Sequence, residues 1–408
     1  MEEQILHRAP WIVPVSGPVL ADGAVVVQAG RIVETGTSAE LRRKYPGARL
    51  REHPGCALTP ALVNAHIHLE LSHLRIPELM QAVAGFTDWI ATLLDLRGRE
   101  RTVGDELAAA RETLHRQHEQ GVIALADIGN TDLGFRLAPE FPGTLLHFQE
   151  FLGRSAKTRR SVQEQMAKAG NDRLFTAHAP YSTHPELIQA LKERARRLQH
   201  PFPIHVAEPG SEAEMLSLGS GELYSFLDSR RFLEQPYQPP AGFDKPGSVR
   251  YLHGLGVLDS GTVCIHCVHV SEEEAQILAA TGTRVCLCPG SNRYLRVGIA
   301  PVNMFLARGI LPALGTDSAA SNPELSLWRE MRLLREDHPA VDPAQVFAMA
   351  TLGGAMALGL AERYGSLAPG RSGRMLAVPV GKNCESPAQL YDLMTRDNQH
   401  LQPTWVND

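Results

Sequence analysis

The chain lacks much of what would place it in a specialised class. No apolar run approaches the roughly 18 residues that a membrane-spanning helix needs, so no transmembrane segment is expected. Positive charge is not in excess: 40 Lys and Arg stand against 45 Asp and Glu, a formal net charge of −5. That removes the electrostatic case for nucleic acid or an anionic membrane as a partner. The opening residues Met1-Glu2-Glu3-Gln4 have neither the basic nor the apolar stretch of a secretory signal; a cytoplasmic location is the expectation. No internal repeat is visible. Cysteine is scarce, six in 408 residues. Cys264, Cys267, Cys286 and Cys288 have the outline of a zinc knot, but both pairs sit in apolar, β-rich runs. On a strand, Cys264 and Cys267 point to opposite faces, so these are read as reduced, buried side chains.

What is present is a change of texture near Leu58. Before it, short strand-like runs alternate with turns: Gly23 to Gln28 and Arg31 to Val33 read as two strands joined at Ala29-Gly30. Ser38 to Lys44 reads as a short helix capped by Thr37 or Ser38. After it, eight apolar runs alternate with helical stretches. The strands are read at 62–68, 122–128, 144–151, 174–179, 203–208, 263–268, 284–288 and 311–316. The helices are read at 104–119, 184–198, 272–280, 301–307 and 323–334. That is the pattern of an α/β protein built as a (β/α)8 barrel of TIM type. The long connection from Pro209 to Gly261 contains Gln235-Pro236-Tyr237-Gln238-Pro239-Pro240, read as an irregular loop over the barrel mouth. Past Leu360, Gly365-Ser366-Leu367 and Met375 to Val380 read as strands again. Residues 1–58 and 361–408 are therefore expected to form one small discontinuous β-sandwich domain, and 59–360 the barrel.

Barrel enzymes place their chemistry at the C-terminal ends of the strands. His66 and His68, at i and i+2 on the first strand, share a face and make half a metal site. His178 ends strand four, His205 and Glu208 strand five, His266 strand six and Asp317 strand eight. Strands two, three and seven offer Asp127, Gln149, Glu150, Ser291 and Asn292. Buried groups of these kinds need partners, and a metal can satisfy several histidines and a carboxylate together.

These segments, Asn64-Ala65-His66-Ile67-His68, Ala177 to Ser182, His205-Val206-Ala207-Glu208, His266-Cys267-Val268-His269 and Leu314 to Asn322, make the sequence similar to the amidohydrolase superfamily. Within it the mononuclear-metal deaminase branch is the nearest match, including the aminofutalosine, S-adenosylhomocysteine and methylthioadenosine deaminases. The resemblance implies one divalent metal per chain, held by His66, His68, His205 and Asp317. Two-metal members carry a bridging lysine at the end of strand four, and neither Leu174–Ala179 nor His147–Phe151 contains one. Zn is the default ion and Fe(II) the rival, since imidazole suits both. The metal would lower the pKa of its water to give hydroxide at neutral pH. Asp317 can then take a proton, His266 hold the water, and Glu208 pass protons to a ring nitrogen and to departing ammonia.

For the substrate, His178 is the family's usual substrate-binding histidine. His68 to Ser72, with Glu70, is similar to aminofutalosine deaminases of a menaquinone pathway. Trp89 is placed to cover a purine, and Arg154 to meet a carboxylate. Asn292 remains as a polar contact in Cys288-Pro289-Gly290-Ser291-Asn292, where many relatives have a histidine before Asn-Pro. Three functions stay open. The first is deamination of a 6-aminopurine nucleoside with a 5′ substituent, aminofutalosine being the sharpest guess. The second is hydrolysis on a related ring, by a methylthioadenosine or S-adenosylhomocysteine deaminase, a guanine-type deaminase or a chlorohydrolase. The third is an inactive purine-binding barrel. The expected partner is a small molecule, and the sequence leaves a homodimer open.

Overall fold

Both ends of the chain contribute to one sheet. The structure, a computed structural model, describes residues 2–74, 85–97, 103–234, 237, 239, 246–381 and 384–406. Strands β1 (Gln4–Ile12), β2 (Leu20–Gln28) and β3 (Arg31–Thr37) run antiparallel. The β2–β3 turn falls at Ala29 and Gly30, both left-handed at φ 52° and 68°, as a tight two-residue hairpin requires. The side chain of Thr37 accepts the N–H of Glu40 and caps the helix Ser38–Lys44. β1 then pairs in parallel with β4 (Arg49–Glu52) and, further along, with β5 (Cys56–Pro60). The expected sandwich is realised as a single hydrogen-bonded sheet of seven strands.

The barrel follows without a break. Its strands are β6 (Leu62–His68), β7 (Val122–Gly129), β8 (Thr144–Phe151), β9 (Leu174–Ala177), β10 (Phe202–Val206), β11 (Thr262–His266), β12 (Arg284–Leu287), and an eighth in two pieces, β13 (Ala313–Leu314) and β14 (Asp317–Ser318). β6 to β9 pair in parallel, as do β10 to β13. The two arcs meet where the N–H of His205 donates to the carbonyl of His178 at 2.9 Å, and where β14 lies parallel to β6. The main apolar core fills the barrel and the layer between strands and helices.

The strands stop earlier than their hydrophobic runs suggest, and the cause is local. Ala207, His266, Cys267 and Asp317 are all left-handed, at φ 53°, 70°, 48° and 59°. Non-glycine residues of this kind interrupt a pleated strand and concentrate at functional sites. The eighth strand breaks at Gly315, where a Cβ would sit 2.6 Å from the His66 Cβ and 3.0 Å from the Cys286 sulfur. Only glycine permits that approach.

Other expectations need correcting. Gly365-Ser366-Leu367 is a bend rather than a strand, with Gly365 at φ 90°. The expected helix at 323–334 runs from Leu327 to Asp337. Among its described residues the connection 209–261 holds three helices, Ser211–Leu218, Gly221–Ser229 and Ser248–Gly254; of its loop at 235–240, residues 235, 236, 238 and 240 lie outside the described residues. The tail supplies β15 (Met375–Pro379) and β16 (Thr404–Val406) to the small sheet. Between them a helix, Pro387–Thr395, sends Leu390 and Met394 into the barrel core, and its Asp392 pairs with Arg335. A division at 361 therefore cuts through a helix layer that belongs to the barrel. Among the described residues no helix is long and apolar enough to cross a membrane.

Candidate active site

Asn64 sets the frame. Its side-chain oxygen accepts the N–H of His66 and of Thr316, while its amide donates to Thr316 Oγ1 and Gln117. The first and eighth strands are thereby locked in register, with Asp317 opposite Ile67, between the two histidines. His66, His68 and His205 each bring one ring nitrogen within 4.8 Å of the others; a ring nitrogen of His66, one of His266 and a carboxylate oxygen of Asp317 lie equally close together. Asp317 Oδ1 stands 3.4 Å from His66 Nε2 and 3.5 Å from His68 Nε2. Its other oxygen, Oδ2, accepts from Ser291 and Ser321, which leaves Oδ1 for the histidines.

These donors fit a divalent metal. His66 is wholly buried, and neither of its ring nitrogens has a hydrogen-bond partner, a costly state for a polar group. His205 Nδ1 is 2.8 Å from the carbonyl of His178, so it donates there and Nε2 keeps its lone pair. Burial lowers the pKa of His66, and of His68 to about 3, so both rings are neutral and able to ligate. Three nitrogens and one carboxylate oxygen are the donor set of a catalytic zinc-type site.

Around this centre lies a cavity of about 300 Å³. Glu208 Oε1 faces His266 Nε2 at 3.4 Å. Burial pushes the Glu208 carboxyl up to about 7, with His266 pulling against it. His266 Nδ1 hydrogen-bonds Asn292 Oδ1 at 2.9 Å. His178 is held by Ser182 at 2.6 Å and lines the cavity; burial lowers its pKa to about 3. Glu70 and Trp89 also line the cavity. Glu70 accepts the N–H groups of Asn130 and Thr131, and the Trp89 indole donates to the carbonyl of Ala320.

Two expected contacts are placed elsewhere. Arg154 is buried outside the cavity lining; its guanidinium donates to the carbonyls of Pro180 and Thr183 and lies over the Tyr237 ring. Asn292 stands behind His266 instead of lining the cavity. Arg97, Asn130 and Glu150 are among the lining residues to which the sequence assigned no role. Arg97 could have been found from spacing. Phe86, Trp89, Ile90, Leu93, Leu94 and Arg97 form one face of the helix Phe86–Arg97, following the i, i+3, i+4 pattern. Arg97 donates to Glu70 and to Asn130, and Asn130 in turn donates to Glu150. Burial, then the charge of Glu70, raises Glu150 to about 8. Cys264 and Cys286 lie on strands, Cys267 and Cys288 just past the strand ends, and all four are buried and free.

Behind Asp317, the wholly buried Glu330 accepts from the N–H of Gly290 and the amide of Asn322. Burial pushes its carboxyl from 4.5 up to about 7 against those hydrogen bonds. The folded state thus keeps a proton that the unfolded state gives up. The stabilisation is complete below about 4.5 and is lost as pH rises through about 7. In metal-free protein the thermal midpoint of wild type is expected to fall across that window relative to Glu330→Gln. Parallel curves would show that Glu330 does not titrate there.

Residues 57–398 match the Amidohydrolase family, and residues 23–48 match an imidazolonepropionase-like composite domain of bacteria. The chain is 30% identical over 361 residues to an aminodeoxyfutalosine deaminase of Deinococcus radiodurans, covering 84% of this chain and 83% of that protein. It is 28% identical over 399 residues to a 5-methylthioadenosine/S-adenosylhomocysteine deaminase of Moorella thermoacetica, covering 92% and 86%. Among solved structures, the aminofutalosine deaminase of Helicobacter pylori in complex with methylthio-coformycin superposes with a TM-score of 0.80 at 23% identity, over 95% of each chain.

Proposed function

Because the chain belongs to the amidohydrolase family, and so is a hydrolase of carbon–nitrogen bonds, we propose that it deaminates a 6-aminopurine nucleoside bearing a 5′ substituent, with aminofutalosine the first candidate. The observation that carries this reading is Glu208. It lies three residues after the ligand His205, buried in the cavity and 3.4 Å from His266. A carboxyl in that place can protonate a ring nitrogen, which hydrolysis of a simple amide does not need.

The reaction adds water across the ring C6–N bond: the carbon gains an oxygen and the amine leaves as ammonia. A single ion held by His66, His68, His205 and Asp317, with Zn proposed ahead of Fe(II), would supply Lewis-acid chemistry that lowers the pKa of water from about 15.7 toward about 7. The chain's own groups do the rest. Asp317 takes a proton from the attacking water. His266, fixed by Asn292, holds that water in line. Glu208 gives its proton to the ring nitrogen next to C6, takes the proton of the new C6 hydroxyl as the carbonyl forms, and delivers it to the departing amine; the proton on Asp317 then passes to Glu208 for the next turnover. His178, neutral and aimed into the cavity, hydrogen-bonds the ring. Phe86, Trp89, Ile90 and Phe232 make an apolar wall that suits a bulky 5′ group. Arg97 takes the place proposed for Arg154 as the basic residue of the lining.

The methylthioadenosine/S-adenosylhomocysteine reading stays beside it, favoured by the relative that carries that name. Ammonia release from aminofutalosine, 5′-methylthioadenosine, S-adenosylhomocysteine, adenosine and guanine, compared side by side, tests both. A 5′-substituted nucleoside is expected to exceed adenosine and guanine in kcat/KM by about tenfold or more, worth about 1.4 kcal/mol. Guanine ahead by the same factor would refute the nucleoside reading.

A further inference from the structure

One buried carboxyl near the centre has no part in the reaction described. Glu212 is wholly buried, on the first turn of the helix Ser211–Leu218. Its Oε2 accepts the backbone N–H of Glu208 at 3.2 Å, reaching back over Pro209 and Gly210. The segment it grips is under strain. Ala207 is left-handed at φ 53°, a conformation that costs a non-glycine residue free energy and persists only where the surroundings hold it. From the other side the turn is tied to the next strand end: Val268 and His269 both donate to the carbonyl of Ala207, at 3.0 and 2.9 Å, and Cys267 donates to that of Val206 at 3.0 Å. His266 and Cys267 are themselves left-handed. Glu208 and His266 therefore face each other across two strained turns bound together. Glu212 restrains the Glu208 side of that pair.

We propose that Glu212 is a positioning residue: by holding the N–H of Glu208 it fixes the carboxyl of Glu208 against His266, while touching neither the substrate nor the metal ligands. The proposal rests on the reading of Glu208 as the proton carrier.

The substitutions that separate the possibilities are Glu212→Gln, whose amide oxygen can accept the same N–H, and Glu212→Leu, which cannot. Misplacing a catalytic group by about 1 Å can cost about 10²-fold in rate. Glu212→Leu is expected to lose at least about tenfold in kcat with KM and metal content little changed, since the lost interaction matters in the transition state. Glu212→Gln is expected to stay within about threefold of wild type. A crystal structure of Glu212→Leu gives a readout free of any substrate: the Glu208 carboxyl should have left His266. Should leucine prevent folding, Glu212→Asp, one methylene too short for the N–H, takes its place with the same expectations. The proposal is overturned by a leucine variant with full activity or an unmoved Glu208, and by a glutamine variant as impaired as leucine. It is equally overturned if both variants lose the metal, because the role is then structural. Glu208→Gln, assayed in parallel, isolates the premise: full activity there refutes the proton-carrier reading, whereas an inactive Glu208→Gln beside an active Glu212→Leu refutes this inference alone.

Discussion

Glu208→Gln is expected to retain one divalent ion per chain while kcat/KM falls by about 10²–10⁴, the range for a general acid–base group. Retention follows from geometry: the proposed metal donors are His66, His68, His205 and Asp317, and the Glu208 carboxyl faces His266 instead. The loss follows from chemistry. Glutamine fills the same space and still presents an oxygen and a donor, but it cannot release a proton to the ring and take another for ammonia. Metal analysis and steady-state kinetics on one preparation decide it. Loss of the ion would make Glu208 a ligand; turnover within about threefold of wild type would remove it from the proton path.

Removing the ion should cost more. Activity after dialysis against a chelator is expected to fall below about a thousandth, since Lewis-acid assistance is worth several kcal/mol and each 1.36 kcal/mol is a factor of ten. One equivalent of Zn should restore it, and a second should add nothing, because strand four has no lysine to bridge a pair. The stripped protein should also melt lower, as a ligand at about 1,000 times its Kd stabilises by about 4 kcal/mol. A second equivalent that raised activity further would overturn the mononuclear assignment.

Much of this centre was legible because the barrel converts sequence order into position. A titratable residue at the end of an apolar run is carried to one face, so His66, His68, His205, His266 and Asp317 could be placed before any coordinates. Strand lengths were less legible. Apolarity continues through Ala207 and Cys267, and nothing in their side chains announces a left-handed backbone. Positions that depend on loops were least legible. Arg154 follows strand three as an anchoring residue would, but three-dimensional closure gives its guanidinium to Pro180 and Thr183. The sequence does not show that Asn292 sits behind His266, hydrogen-bonded to it and outside the cavity lining. Arg97 lies two turns past Trp89 on the same helix face, where regular spacing carries it into the cavity lining.

The lock between Asn64 and Thr316, residues 252 positions apart, bears on how the protein is made. A ribosome delivers His66 and His68 early and Asp317 late. Until then β6 has a neighbour on one side only, and β5 waits still longer for β15 from the last part of the chain. Long-range pairings of this kind fold slowly and leave strand edges open meanwhile. The metal centre is thus among the last features a nascent chain acquires, and a ribosome stalled before Asp317 leaves a chain with histidines but no carboxylate to complete their site.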